Sequence, residues 1–489
     1  MLKPGVLLED QYEVWGRIGG GGMSDVWLAR HTGMATPLVI KTLKSTTGAH
    51  NDERRERLMR EARLTARVRC HRIVRPLDVG EHDGIPYLVQ EYVDGIDLEE
   101  LAEHRLRAQS HGLPLWFVCE VLADAAQGLH SAHQTGILHR DVKPSNLFFS
   151  PEEGTKLGDF GIAQHRNLSS AGELCGTLSF MAPEVLRGES VDRRSDLFAF
   201  GATGYCLRYG RPPFETPAAV LAAEPLRPPP PMSPEEAYFQ QVIARAMAPA
   251  RELRPSDLNE PRRQLHALSQ ALRKPLRALL QPDGSLQVGA TRLSFEVGDI
   301  SFAACDAIIC PANPQLSMEV GVAGALQQQG GPGLELEAQA GGPRPLGSCV
   351  VTGPGRLRCR KVLHAVSAWR EASCIARTAL RSLLVAEEHG LQRLAVPALG
   401  TGVAGVALEA SANAIGSALR VHLELGGSRL REVRFVLYDE AKLQAFREVI
   451  LCLFLGSSDE RPVDLGLPGL RPQVSAEALS VDDATIFAR

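Results

Sequence analysis

The chain has no apolar run near the ~20 residues that a membrane-spanning helix needs. The run Val449 to Leu455 is far shorter and suits a buried helix. Met1 to Leu8 lack the basic start and apolar core of a secretory signal. The 10 cysteines include no C-x-x-C pair, and no histidine pair stands beside them at zinc spacing, so a structural zinc site is not expected. A chain of 489 residues can be stabilised by burial and needs no disulfide framework. Reduced thiols and a cytoplasmic address are the expectation. An excess of one charge is also lacking. Lys plus Arg is 53 and Asp plus Glu is 57, for a net −4, and neither half carries the basic surplus that would draw it to nucleic acid. With 44% hydrophobic and 22% charged residues, wholesale disorder and collagen-like repeats are excluded. The length allows about three domains, or two larger ones.

Residues 10 to 95 read as short strands with one long helix over Glu53 to Arg69, where Leu58, Ala62, Thr65 and Ala66 recur at helical offsets among arginines. Residues 115 to 135 and 196 to 209 read as buried helices. Six prolines between Pro225 and Pro234 enforce a stiff, non-helical loop. Helical patterns return at Ala237 to Met247 and Arg262 to Leu272. A Pro-Asp-Gly-Ser cluster near Gln281 to Ser285 marks a turn, and the domain boundary is expected around it. Beyond it, short apolar strands (Asp306 to Cys310, Val362 to Val366, Leu394 to Pro397, Val433 to Leu437) alternate with helices, which argues a largely parallel sheet covered by helices. The predicted organisation is a domain over 10–272, a linker over 273–285, a second domain over 286–455 and a flexible tail over 456–489.

The first domain carries an ordered set of polar groups. Ile-Gly-Gly-Gly-Gly-Met-Ser-Asp-Val occupies residues 18 to 26, and such glycines let backbone amides approach phosphate. Alone this is more often a flexible turn. Lys41 ends a Pro-Leu-Val-Ile-Lys strand, and Glu61 lies on the arginine-rich helix. His139-Arg140-Asp141-Val142-Lys143-Pro144-Ser145-Asn146 follows, then Asp159-Phe160-Gly161 and Ala182-Pro183-Glu184. This set resembles the eukaryotic-type protein kinase family, in its serine/threonine branch and closest in character to bacterial members. The resemblance implies a bilobal α+β fold using ATP with Mg²⁺, or Mn²⁺ in its place. Gly19, Gly21, Gly22, Val26 and Val39 would cradle the nucleotide. Lys41, held by Glu61, would grip phosphate. Backbone groups of Glu91 and Val93 would meet adenine, and Asn146 and Asp159 would hold the metal. Asp141 would act on the substrate hydroxyl and Lys143 would steady the γ-phosphate. Arg254 would pair with Glu184. Ser169 or Ser170 would be regulatory phosphosites, and Thr177, also in that loop, is expected to bond Asp141 instead. Ser24 replaces the third glycine of the loop and Val39 replaces the usual alanine, but no catalytic group is lost.

In the second domain a strand ending at Cys310 runs into Pro-Ala-Asn-Pro and a helix near Val322. A second strand empties into Gly400-Thr401-Gly402-Val403-Ala404-Gly405. Each loop alone is equally a tight turn; together, across a parallel sheet, they suit a diphosphate. With Gly347 to Thr352, Val362 to Val366 and Val436 to Asp439, they resemble the macro domain, an α/β/α three-layer fold that binds ADP-ribose. The resemblance implies that Asp299 and Ile300 meet adenine, that Asn313 contacts the distal ribose, and that Gly321, Val322 and residues 400–405 wrap the diphosphate. Tyr438 either stacks on adenine or is a plain core tyrosine. Ala323 stands where hydrolysing members carry an aspartate, so a reader, or a macro fold used only for protein contact, is expected rather than an ADP-ribosyl hydrolase. The expected partners are protein substrates and ADP-ribose, free or on proteins. The competing reading is an interaction scaffold without catalysis.

Overall fold

The computed structural model describes residues 2–20, 24–34, 36–43, 50–160, 178–369 and 372–456. An antiparallel sheet opens the chain, in the order Leu7–Leu8, Tyr12–Gly20, Ser24–His31, Pro37–Leu43, Ile85–Glu91, Pro76–His82. Side chains alternate across its strands. Trp27, Ala29, Leu38 and Ile40 pack on one face with Tyr87 and Val89. Val26, Leu28 and Val39 belong to a separate cluster on the other face, which Lys41 shares by its spacing. The helix His50–Thr65 crosses the sheet edge and buries Leu58 and Ala62 against Leu88. It ends earlier than the apolar spacing suggests, leaving Ala66 exposed.

The second lobe is helical, built around Leu115–Gln134. Its apolar side chains, together with those of Arg193–Tyr209, Pro234–Ala246 and Asn259–Leu272, form one core. Caps set the boundaries. Asp192 accepts from Arg194 N–H and Gly210 closes its helix in the left-handed region. Ser233 accepts from Glu236 N–H with a proline in the first turn, so that helix starts a turn before its apolar pattern does.

The second domain holds an eight-stranded sheet in the order Ala278–Leu280, Leu286–Val288, Thr291–Val297, Glu432–Leu437, Arg393–Val396, Ala307–Pro311, Lys361–Ala365, Cys349–Thr352. The five strands from Thr291–Val297 to Lys361–Ala365 run parallel. One expectation is corrected here. The turn at Gln281 to Ser285 is not between domains; it closes a hairpin in which Leu280 pairs with Leu286. The expected linker therefore contains the sheet's edge strand, and only 273–277 separates the last helix of the first domain from the sheet. The tail from 457 onward lies outside the described residues.

Candidate functional site

In the first domain, strand Pro37–Leu43 delivers Lys41 towards the helical lobe, where its Nζ meets Asp159 Oδ1 at 2.8 Å. Burial alone would raise the Asp159 pKa, but the Lys41 charge and hydrogen bond hold it below the ordinary carboxylate range, with help from His139 and Lys143. Asp159 is therefore an anion. Its backbone sits in the left-handed region, with φ 53, a conformation uncommon outside glycine, asparagine and aspartate. The next residue, Phe160, packs its ring 4.4 Å from that of His139.

Opposite stands the segment 139–146. Asn146 Nδ2 donates to the Asp141 carbonyl at 2.7 Å and to its carboxylate at 2.9 Å. Lys143 Nζ lies 3.0 Å from the same carboxylate. The Asn146 carbonyl accepts from Gly158 N–H at 2.9 Å, which sets this segment directly beside Asp159. Lys41, Asp141, Lys143, Asn146 and Asp159 thus converge on one cleft. The amide oxygen of Asn146 and the ionised Asp159 are hard oxygen donors, a set that fits Mg²⁺ completed by phosphate and water.

Arg254 and Glu184 also meet as expected, with Nη1 to Oε1 at 2.7 Å and Nη2 to Oε2 at 3.0 Å, fully buried. Gly19, Val26, Val39, Glu91 and Val93 all lie on the sheet or on the connection that joins the lobes. Gly21, Gly22, Ser169, Ser170 and Thr177 lie outside the described residues, as does the side chain of Glu61, whose backbone is helical.

In the second domain the parallel strands point their carboxyl ends at a common edge. Asp299 follows Thr291–Val297, Asn313 follows Ala307–Pro311, the 400–405 loop follows Arg393–Val396, and Tyr438 follows Glu432–Leu437. Asp299 accepts from Ser301 N–H at 2.9 Å. Burial raises the Tyr438 pKa and a hydrogen bond with Asp299 raises it further. Tyr438 is 59% exposed, so it is not a core residue. The Ile300 side chain is the reverse, buried among Ile308, Met318 and Ala323, which leaves only its backbone for a ligand.

Gly321 opens the helix Gly321–Gly330 at φ 62. Gly400 stands at φ 76, and a Cβ there would lie 3.0 Å from Ile375 Cδ1 and 3.1 Å from Val406 Cγ2. Only glycine satisfies both demands. Val403, at 87% exposure, and the neighbouring Gly402 and Gly405 leave this loop open to solvent. Thr401 is tied back by its hydroxyl to the Ala398 carbonyl at 3.0 Å, while Ala404 and Val322 are half-buried.

The protein kinase domain profile matches residues 12–276, over half of the chain. This chain belongs to the protein kinase family. The macro domain profile matches residues 309–415. Serine/threonine-protein kinase PknB of Mycobacterium leprae (strain TN) is 36% identical over 223 residues, which is 44% of this chain and 35% of that protein. Serine/threonine-protein kinase PknF of Mycobacterium tuberculosis (strain ATCC 25618 / H37Rv) is 36% identical over 245 residues, covering 47% and 51%. The matched part thus spans between a third and about half of these relatives. Among solved structures, the Mycobacterium tuberculosis PknI kinase domain is 31% identical at a TM-score of 0.44, covering 55% of this chain and 99% of that one.

Sequence reasoning missed one anchor of the kinase domain. Asp196 is buried and accepts from the backbone N–H of His139 at 2.9 Å and of Arg140 at 2.8 Å, with His133 Nε2 at 2.7 Å. It fixes the segment that carries Asp141, including Arg140 at φ 68. The available signal was an aspartate that recurs within a turn of the Asp192 cap yet sits on a mostly buried helix. A buried carboxylate needs partners. In the macro domain Ala323 is buried. Among the described residues no helix is long and apolar enough to cross a membrane.

Proposed function

We propose that the kinase domain transfers the γ-phosphate of ATP to serine or threonine hydroxyls of proteins, itself included, and that the macro domain reads ADP-ribose. The observation that carries the first part is the convergence of Lys41–Asp159 and Asp141–Lys143–Asn146 in one cleft. The names of the mycobacterial relatives favour the serine/threonine branch.

Phosphoryl transfer needs positioning and charge neutralisation more than covalent chemistry. Bound Mg²⁺ would neutralise phosphate charge, with Asn146 and Asp159 as its protein ligands. Lys41 supplies a cation from the small lobe to the phosphates. Asp141, oriented by Asn146, accepts the proton of the attacking hydroxyl. Lys143 stands beside it and offsets charge on the transferring group. Asp196 keeps this segment in place by holding the two backbone amides before Asp141.

For the macro domain, the support is the common edge that gathers Asp299, Asn313, Gly321 and the 400–405 loop. A cluster of exposed amides and glycines at helix starts suits a diphosphate. With Ala323 where hydrolysing members carry an aspartate, the hydrolase route lacks its carboxylate, and binding is the role that fits. Incubation with labelled ATP, wild type against Asp141→Asn, tests the kinase reading. Calorimetric titration of ADP-ribose, wild type against Asn313→Ala, tests the reader. Label incorporation that survives Asp141→Asn, or a wild-type titration without heat, sinks the respective half.

A further inference from the structure

The two domains share a built interface. The macro helix Ile375–Glu388 starts at Cys374, which gives it no side-chain cap. Its orphan amides are satisfied from the other domain. The Asp94 carboxylate, in the connection between the kinase lobes, accepts from Ala376 and Arg377 N–H, both at 3.0 Å. Tyr92 donates to the same carboxylate at 2.9 Å. One turn on, Arg381 grips both Glu100 oxygens at 2.5 Å. Burial opposes ionisation of Glu100, but hydrogen bonds from His104 and Arg381 bring its pKa down to about 2. Farther along the same helices Glu388 meets His104 Nδ1 at 2.7 Å and Arg107 Nε at 2.6 Å. Arg105, buried, donates to the Gly426 and Leu425 carbonyls.

These contacts set the macro domain against the nucleotide-facing side of the small lobe. Val26 and Val39, two of the residues expected to cradle the nucleotide, belong with Ile18 and Tyr92 to one apolar cluster that also contains Leu316, Leu346, Val366 and Cys374. A Cβ on Gly16 would lie 3.1 Å from Leu346 Cδ1. Arg377 Nη2 reaches the Ile18 carbonyl at 3.5 Å. Apolar surface expected to face the nucleotide is packed here against the second domain.

The same macro elements carry the candidate ADP-ribose groups. Leu316 is 1% exposed at φ 57, a strained backbone for leucine. It is bracketed by Asn313, whose Nδ2 donates to Ser317 Oγ at 2.7 Å and whose Oδ1 accepts from Ser317 N–H at 3.2 Å. Ile375, the first residue of the interface helix, packs on the Gly400 loop.

We propose that the macro domain is an inhibitory cap over the adenine side of the kinase cleft, released when a ligand takes Asn313 away from Ser317. The cap rests on the kinase reading above, and its release rests on the ADP-ribose reading. ATP and the capped arrangement exclude each other. A ribose hydroxyl that engages the Asn313 amide competes with the bracket that holds Leu316 against the kinase. By linkage, ATP and ADP-ribose then strengthen each other's binding by the same factor.

The test uses the full chain, a fluorescent ATP analogue and separate calorimetry with ADP-ribose. Arg381→Glu and Leu346→Asp break the interface without touching a group in either candidate site. With about nine-tenths of molecules capped, each raises the apparent ATP affinity about tenfold, and autophosphorylation rises with it. The charge swap Glu100→Arg with Arg381→Glu returns the wild-type affinity. Unchanged affinity in both interface variants overturns the cap. An analogue that binds no variant at all removes the kinase reading itself, and the cap with it. Saturating ADP-ribose raises ATP affinity in the wild type and not in Arg381→Glu. Calorimetric binding of ADP-ribose without that rise overturns the release step, whereas no heat at all removes the ADP-ribose reading and the release step together.

Discussion

Asp94 accepts a hydrogen bond from the backbone N–H of Arg377 at 3.0 Å, so a residue of the kinase domain caps a helix of the macro domain. Burial raises the Asp94 pKa, and the two amides and Tyr92 partly oppose that rise. Asp94→Ala removes the cap and leaves two helix amides without a partner, a loss of about 0.5–2 kcal/mol. Calorimetric unfolding of the variant should show the macro-domain transition separated from, and below, the kinase transition. A trace identical to that of the wild type removes this contact from the junction.

Asp141→Asn should slow autophosphorylation by about 10²–10⁴-fold, the range expected for loss of a positioned base. Affinity for an ATP analogue should stay near that of the wild type, because Lys41 and Asp159 are untouched. A rate within twofold of the wild type excludes Asp141 from the proton transfer.

Asp196→Ala should destabilise the kinase domain by about 3–5 kcal/mol, since it strands His133 and two backbone amides in a dry site. Burial by itself would favour the neutral acid at Asp196, but His133 and His139 hold its pKa low. Denaturant unfolding of the variant measures the cost. A shift below about 0.5 kcal/mol, within the range of an ordinary surface change, contradicts the anchoring role.

His364 is fully buried with its Nε2 at 3.0 Å from Thr352 Oγ1. Burial lowers its pKa from 6.5 to about 4, with Glu337 partly opposing. Between those values the unfolded chain binds the extra proton. Stability from this group is complete above pH 6.5 and declines as pH falls towards 4, by up to about 1.4 kcal/mol per pH unit. The melting temperature of the macro domain should drop over that range in the wild type. His364→Gln should flatten the slope, and an equally steep slope in that variant assigns the acid sensitivity elsewhere.

Much of the kinase site could be read along the chain because its groups sit in short segments of fixed local shape. Asp141, Lys143 and Asn146 lie within one tight segment, and their mutual contacts follow from that proximity. The boundary near 281 could not be placed from turn chemistry, because a Pro-Asp-Gly-Ser turn closes a hairpin as readily as it joins two domains. Only the pairing of Leu280 with Leu286 separates those cases. Asp196 was hidden because its partners are backbone amides more than 50 residues earlier in the chain, and amides carry no residue type to match.

The order of residue types along the chain carried the two family resemblances, the candidate catalytic set and the glycines of the candidate ADP-ribose loop, since those depend on local spacing and backbone freedom. The tertiary structure alone decided that Cys374 leaves its helix uncapped and that Asp94 caps it instead. It alone joined Leu316 and Leu346 to Val26 and Val39, which were expected to cradle the nucleotide. Such contacts join residues about 280 to 360 positions apart. They depend on how two folded surfaces complement each other, and no local pattern of charge or hydrophobicity encodes that.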